Sequence, residues 1–114
     1  MTTKFAGDTW IFDVTVVDAD GAAYDITGAT FKWALSRRAY GAPIVVKYST
    51  ASPPGIAITD APGGVLRITV SPADTEGMPA GRYYHEIEMT ESDGTLSTVL
   101  GEPIVIAATT IRNV

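Results

Sequence analysis

The chain has 114 residues, a length that suits one domain able to bury roughly two-thirds of its unfolded surface. With no Cys and a single His it lacks the makings of a disulfide framework, a thiolate zinc site or a cysteine nucleophile. Eight Lys and Arg against thirteen Asp and Glu leave a net charge of -5, which repels phosphate backbones and anionic lipid, so neither nucleic acid nor membrane is expected as a partner.

The opening residues Met1 to Asp8 lack the apolar stretch of a secretory signal, and they are expected to form a flexible or docking tail (1–7). No apolar run approaches the roughly 18 residues of a membrane span. Trp10, Phe12, Val14 and Val16 then alternate with Thr9, Asp13 and Thr15, the period of two that a half-buried strand requires. Ile11 and Val17 interrupt its polar face. Asp18-Ala-Asp20-Gly21 supplies turn chemistry, because an Asp side chain bonds to amides two residues on and Gly accepts positive φ. A second corner at Asp25-Ile-Thr-Gly28 leads into Ala29, Phe31, Trp33 and Leu35, again at spacing two.

Arg37 to Pro43 breaks the alternation and reads as a loop, followed by a short strand over Ile44 to Tyr48. Pro53-Pro54 is excluded from a central strand. Gly55 to Thr59 and Val65 to Val70, joined by Asp60-Ala-Pro-Gly-Gly64, form a predicted hairpin with Leu66, Ile68 and Val70 inward. Ser71 as N-cap, Pro72 at the first helical position and the acidic Asp74 and Glu76 predict one turn of helix before Gly77. Arg82 to Met89 places Tyr83, His85, Ile87 and Met89 on one face and Tyr84, Glu86 and Glu88 on the other. After the Glu91-Ser-Asp-Gly94 turn, the last extended segment is interrupted by Gly101 and Pro103, which predicts a bulge or an edge position there. Residues 109–114 are a second expected tail.

Short strands with turn signals about every ten residues predict a single all-β domain, an antiparallel β-sandwich of Ig-like or Greek-key type with at most one short helical turn. A small closed barrel gives the same alternation.

Few residues suggest chemistry. His85 lies between inward residues and is expected to be a neutral, hydrogen-bonded core residue, since a triad would need a nucleophile and no Gly-x-Ser-x-Gly elbow exists. Asp18-x-Asp20-Gly21 opens like a calcium loop but has Thr27 where the bidentate Glu belongs, so turn chemistry is the expectation. Nothing in the spacing of Asp60, Asp74, Glu76 and Glu102 pairs them as glycosidase carboxylates. No catalytic residue, metal ligand or cofactor site is therefore assigned. Tyr24, Tyr40, Tyr48 and Tyr84 are the expected surface rings, and Arg37-Arg38 beside Tyr40 is the one basic-aromatic cluster. Arg37, Arg38, Tyr40 and Tyr84 form the candidate interaction surface.

The order of these signals carries a resemblance. Gly7-Asp-Thr-Trp10, Asp18-Ala-Asp-Gly21, Asp25-Ile-Thr-Gly28-Ala-Thr30, Pro79-Ala-Gly81-Arg-Tyr83, Ser92-Asp-Gly94 and Thr110-Ile-Arg112 together resemble small tail- and baseplate-associated structural proteins of tailed bacteriophages and prophages. The chain is also similar to the Ig-like N-terminal domain of phage upper-baseplate proteins. The resemblance implies a non-enzymatic virion protein, made in the bacterial cytoplasm, that assembles with other virion proteins as an oligomer or ring. The alternative is a carbohydrate-binding sandwich of a phage adhesion device, with Tyr40, Tyr48 or Tyr84 stacking on a glycan.

Overall fold

A computed structural model of the chain describes residues 2–51 and 54–108. Pro53, the closing Thr110-Ile-Arg112 and the tail expected at 109–114 lie outside the described residues. Among the described residues eight strands run in the order β1 (Thr2–Phe5), β2 (Trp10–Thr15), β3 (Thr30–Ser36), β4 (Pro43–Tyr48), β5 (Ile56–Asp60), β6 (Val65–Val70), β7 (Gly81–Thr90) and β8 (Leu96–Ala107). A four-residue helix, α1 (Pro72–Thr75), sits between β6 and β7.

The strands make a five-stranded sheet ordered β1-β8-β7-β3-β4 and a three-stranded sheet ordered β2-β6-β5. In immunoglobulin lettering the smaller sheet is B-E-D and the larger is G-F-C-C′, with β1 laid beside the G position. All pairings are antiparallel except β1 with β8. The sandwich follows from alternation on each strand. Phe31, Trp33 and Leu35 of β3 face Leu66, Ile68 and Val70 of β6, and each of these six is at most 3% exposed. Full burial of such a side chain contributes about 1.5–3 kcal/mol, so this one layer outweighs any surface interaction in the molecule.

Three local devices fix the corners. Asp74 accepts hydrogen bonds from the N–H and hydroxyl of Ser71 (both 2.8 Å), which starts α1 at Pro72, a residue with no N–H that would need an acceptor. The buried Thr75 hydroxyl accepts from the N–H of Gly7 (2.9 Å) and ties the β1–β2 corner to the helix. Gly64 closes the β5–β6 turn at φ 75°, where a Cβ would stand 2.5 Å from the Tyr24 carbonyl oxygen and 2.7 Å from that of Val16, so only Gly fits.

One expectation is narrowed and one needs correction. Thr2–Phe5, expected within a flexible or docking tail, is docked as a strand that pairs in register with Ile104–Ala107. Its partner lies about a hundred residues away, so no local pattern announces it. The irregularity expected at Gly101 and Pro103 falls instead at Val99, which is the extra residue where the β7–β8 register shifts between Ile87 and Glu88. Gly101 and Pro103 stay in register with Glu86 and Tyr84. The edge expectation holds for half the strand: β1 covers only Ile104–Ala107, and Leu96 to Pro103 has a neighbour on one side alone.

Candidate functional site

At the centre of the sandwich, Trp33 donates its indole N–H to Nδ1 of His85 (3.0 Å), and Nε2 of His85 lies 3.2 Å from a Glu102 carboxylate oxygen. An indole nitrogen can only donate, so Nδ1 accepts, Nε2 carries the proton, and the ring is neutral. Burial lowers the His85 pKa from its ordinary value and the Glu102 carboxylate only partly offsets it. The Phe12 ring completes the cluster, 5.3 Å from His85 and 6.0 Å from Trp33 between centroids. Tyr83, two residues before His85, donates its hydroxyl to the Pro79 carbonyl (2.8 Å). This is the tyrosine corner of immunoglobulin folds, in which the residue two beyond the Tyr is a Cys that bonds to strand B across the core. Here Phe12 and His85 take the places of that disulfide, against the buried Trp on strand C. His85 is thus a hydrogen-bonded core residue, as its pattern indicated.

Two of the carboxylates considered for chemistry, Asp18 and Asp74, are engaged locally. Asp18 accepts from the N–H groups of Asp20 (2.9 Å) and Ala22 (3.0 Å), which is turn chemistry. Asp74 bonds Lys47 at 2.7 Å; burial works against its ionisation, but hydrogen bonds from Lys47 and Ser71 outweigh that and lower its pKa. Among the described residues no group of three or more His, Asp or Glu is placed to hold a metal ion.

The four candidate surface residues gather at one end of the five-stranded sheet. The loop after β3 folds back through Ser36 Oγ donating to the Arg38 carbonyl (2.7 Å) and Gly41 N–H donating to the same oxygen (2.9 Å). Arg37 lies over the Tyr83 ring, its guanidinium carbon 4.7 Å from the centroid, and so caps the tyrosine corner. Arg38 is exposed and Tyr40 is fully exposed, at the tip of the loop. Tyr40 has φ 63°, the left-handed region that costs a residue with a Cβ about 1–2 kcal/mol. Tyr84 stands on the outer face, paired in register with Ser36 at the loop's base. Its ring lies across Gly101, where a Cβ would stand 2.5 Å from the Tyr84 hydroxyl. Tyr48 shares that face two strands away, beside Lys32. Tyr24, expected as a surface ring, is half-buried and bonds Glu91, which raises its pKa.

The opposite end holds a feature that one-dimensional reading missed. A groove of about 330 Å³ opens between the β2–β3 connection and the β7–β8 hairpin, floored by Val16, Met89 and Val99 and rimmed by Val17, Asp18 and Glu91. The bulge aims Val99 into it. Its walls come from segments some seventy residues apart, and only the exposed Val17, which spoils an otherwise polar face, signals it in the sequence.

No family model matches the chain, and no curated protein matches it.

Proposed function

We propose that the chain is a non-enzymatic structural protein of a tailed-phage virion, belonging to the tail, baseplate or neck and acting through protein–protein assembly. On this reading it is made in the bacterial cytoplasm and its partners are other virion proteins and further copies of itself. The observation that carries the reading is the loop after β3, which holds a fully exposed Tyr40 at positive φ beside Arg38. Tyr and Arg are the residues that dominate protein–protein contacts, and backbone strain at an exposed aromatic tip is a cost that a contact repays. The ordered turn signals that resemble phage tail proteins support it as well, since those among the described residues mark corners of the sandwich.

The test is recovery of this chain from tailed particles purified through a density gradient and analysed by mass spectrometry. A fixed ratio to the other tail proteins is expected; complete particles without the chain overturn the reading. A glycan-binding module is the second reading, favoured by Tyr48 and Tyr84 sharing the outer face of the five-stranded sheet. It expects binding on a glycan array that Tyr84→Ala abolishes, and silence across the array removes it.

A further inference from the structure

We propose that copies of this chain associate head to tail, the Tyr40 tip of one inserting into the Val16–Met89–Val99 groove of the next. The proposal rests on the assembly reading and deepens it by naming the two surfaces. Both surfaces lie on the same strands at opposite ends: the loop follows Ser36 at one end of β3, while the groove lies beyond Thr30 and Thr90, which pair at the other. Thr30 and Ser36 are the two ends of a seven-residue strand, about 20 Å apart at roughly 3.3 Å per residue, so a chain does not reach its own groove and the contact must be made between copies.

Charge selects the occupant. Segments 16–29, 59–64 and 90–96, which make the groove end, contain Asp18, Asp20, Asp25, Asp60, Glu91 and Asp93 and no Lys or Arg. The loop offers the reverse, with Arg37 and Arg38 adjacent and no acid between residues 37 and 42. Opposed patches of this kind steer encounter and disfavour the loop-to-loop and groove-to-groove arrangements. Size agrees with charge. An apolar cavity of about 150 Å³ takes a benzene-sized ring, and the groove at about 330 Å³ has an apolar floor for the Tyr40 ring, with the rim carboxylates left to meet the Arg38 guanidinium. Each copy then carries one donor and one acceptor surface, a heterologous contact that closes into a ring or extends as a filament.

The experiment uses two chains, each disabled at one end. Arg38→Glu with Tyr40→Gly removes the tip but spares Arg37, which caps Tyr83. Val17→Arg places a like charge at the groove rim, on a residue that is 52% exposed. Light scattering coupled to size exclusion is expected to show the parent chain growing in mass with concentration, with each variant at least about tenfold weaker in association. An equimolar mixture of the two variants is expected to give a dimer and nothing larger, since only one intact tip and one intact groove remain. At concentrations where both chains are monomeric, Tyr40→Gly alone is expected to raise the melting temperature, while at higher concentration it weakens association, a combination that a purely structural role of the tyrosine does not produce. A variant that assembles like the parent, or a mixture that stays monomeric, overturns the proposal and leaves the virion reading to the particle experiment. A parent chain that is monomeric at every concentration also overturns it.

Discussion

The middle of the five-stranded sheet and its margins are built on different principles. In the middle, β3 and β7 turn Phe31, Trp33, Leu35, Tyr83, His85, Ile87 and Met89 inward, none more than 4% exposed, and among the described residues no buried side-chain polar atom lacks a partner. At the margins regularity is broken on purpose. The edge strand β4 begins with Pro43, bulges at Ile44 and draws Lys47 to Asp74, while the open half of β8 carries the Val99 bulge, Gly101 and Pro103. Bulges, prolines and charge are how sheet edges refuse a further strand. The contrast teaches that this sandwich keeps regular pairing where the core is buried and breaks it where a further strand could be added.

The largest effect is expected from breaking the middle. Trp33→Ala opens a cavity and leaves Nδ1 of His85 without its donor, and a loss of about 3–5 kcal/mol in urea denaturation is expected, a large part of a small domain's stability. Tyr83→Phe keeps the ring and deletes only the bond to Pro79, so a loss of about 1 kcal/mol is expected by the same measurement.

Acid probes the same cluster without mutation. The folded-state pKa of His85 lies below its ordinary 6.5, so its contribution is complete above that value and is lost as the pH falls from 6.5 through the folded pKa. Protonating Nδ1 would set two donors, the ring and the Trp33 indole, against each other. Asp13 is lowered by hydrogen bonding to Arg67 and Asp25 by hydrogen bonds from Thr27, and their contributions fade only in stronger acid, as the pH falls below 3.8. Unfolding curves at stepped pH are therefore expected to show two separate losses, the one nearer neutrality due to His85.

The smallest change in stability is expected at the margin. Pro103→Val restores an N–H and β-propensity on the open half of β8, with a stability change of about 0.5 kcal/mol or less but a rise in self-association through the edge, read by light scattering. If Pro103→Val stays as disperse as the parent, the edge is guarded without Pro103, by the Val99 bulge and Gly101.

How much of this could be read from the chain depends on where each partner lies. β2, β3, β6 and β7 were legible because one face of each is buried and alternation records that directly. The helix was legible because Ser71, Pro72 and Asp74 carry its start within four residues. β1 was not, because Thr2–Phe5 becomes a strand only when Ile104–Ala107 is beside it. The Val99 bulge was not, since a bulge is a mismatch between two strands and neither shows it alone. Of the surface, Arg37, Arg38 and Tyr40 stood out as a local cluster, whereas the groove needs Val17 and Glu91 brought together from distant turns.

The parallel pairing of β1 with β8 also decides how the domain carries a pull. Thr2 sits opposite Ile104 and Phe5 opposite Ala107, so the chain enters at one end of the paired segment and leaves at the other. Tension applied before Thr2 and after Ala107 loads this ladder lengthwise, and its hydrogen bonds must fail together instead of peeling one by one. Forced unfolding is governed by the rate at which such a barrier is crossed, so the short strand β1, which adds little to the buried core, is positioned to set the mechanical strength of the whole domain.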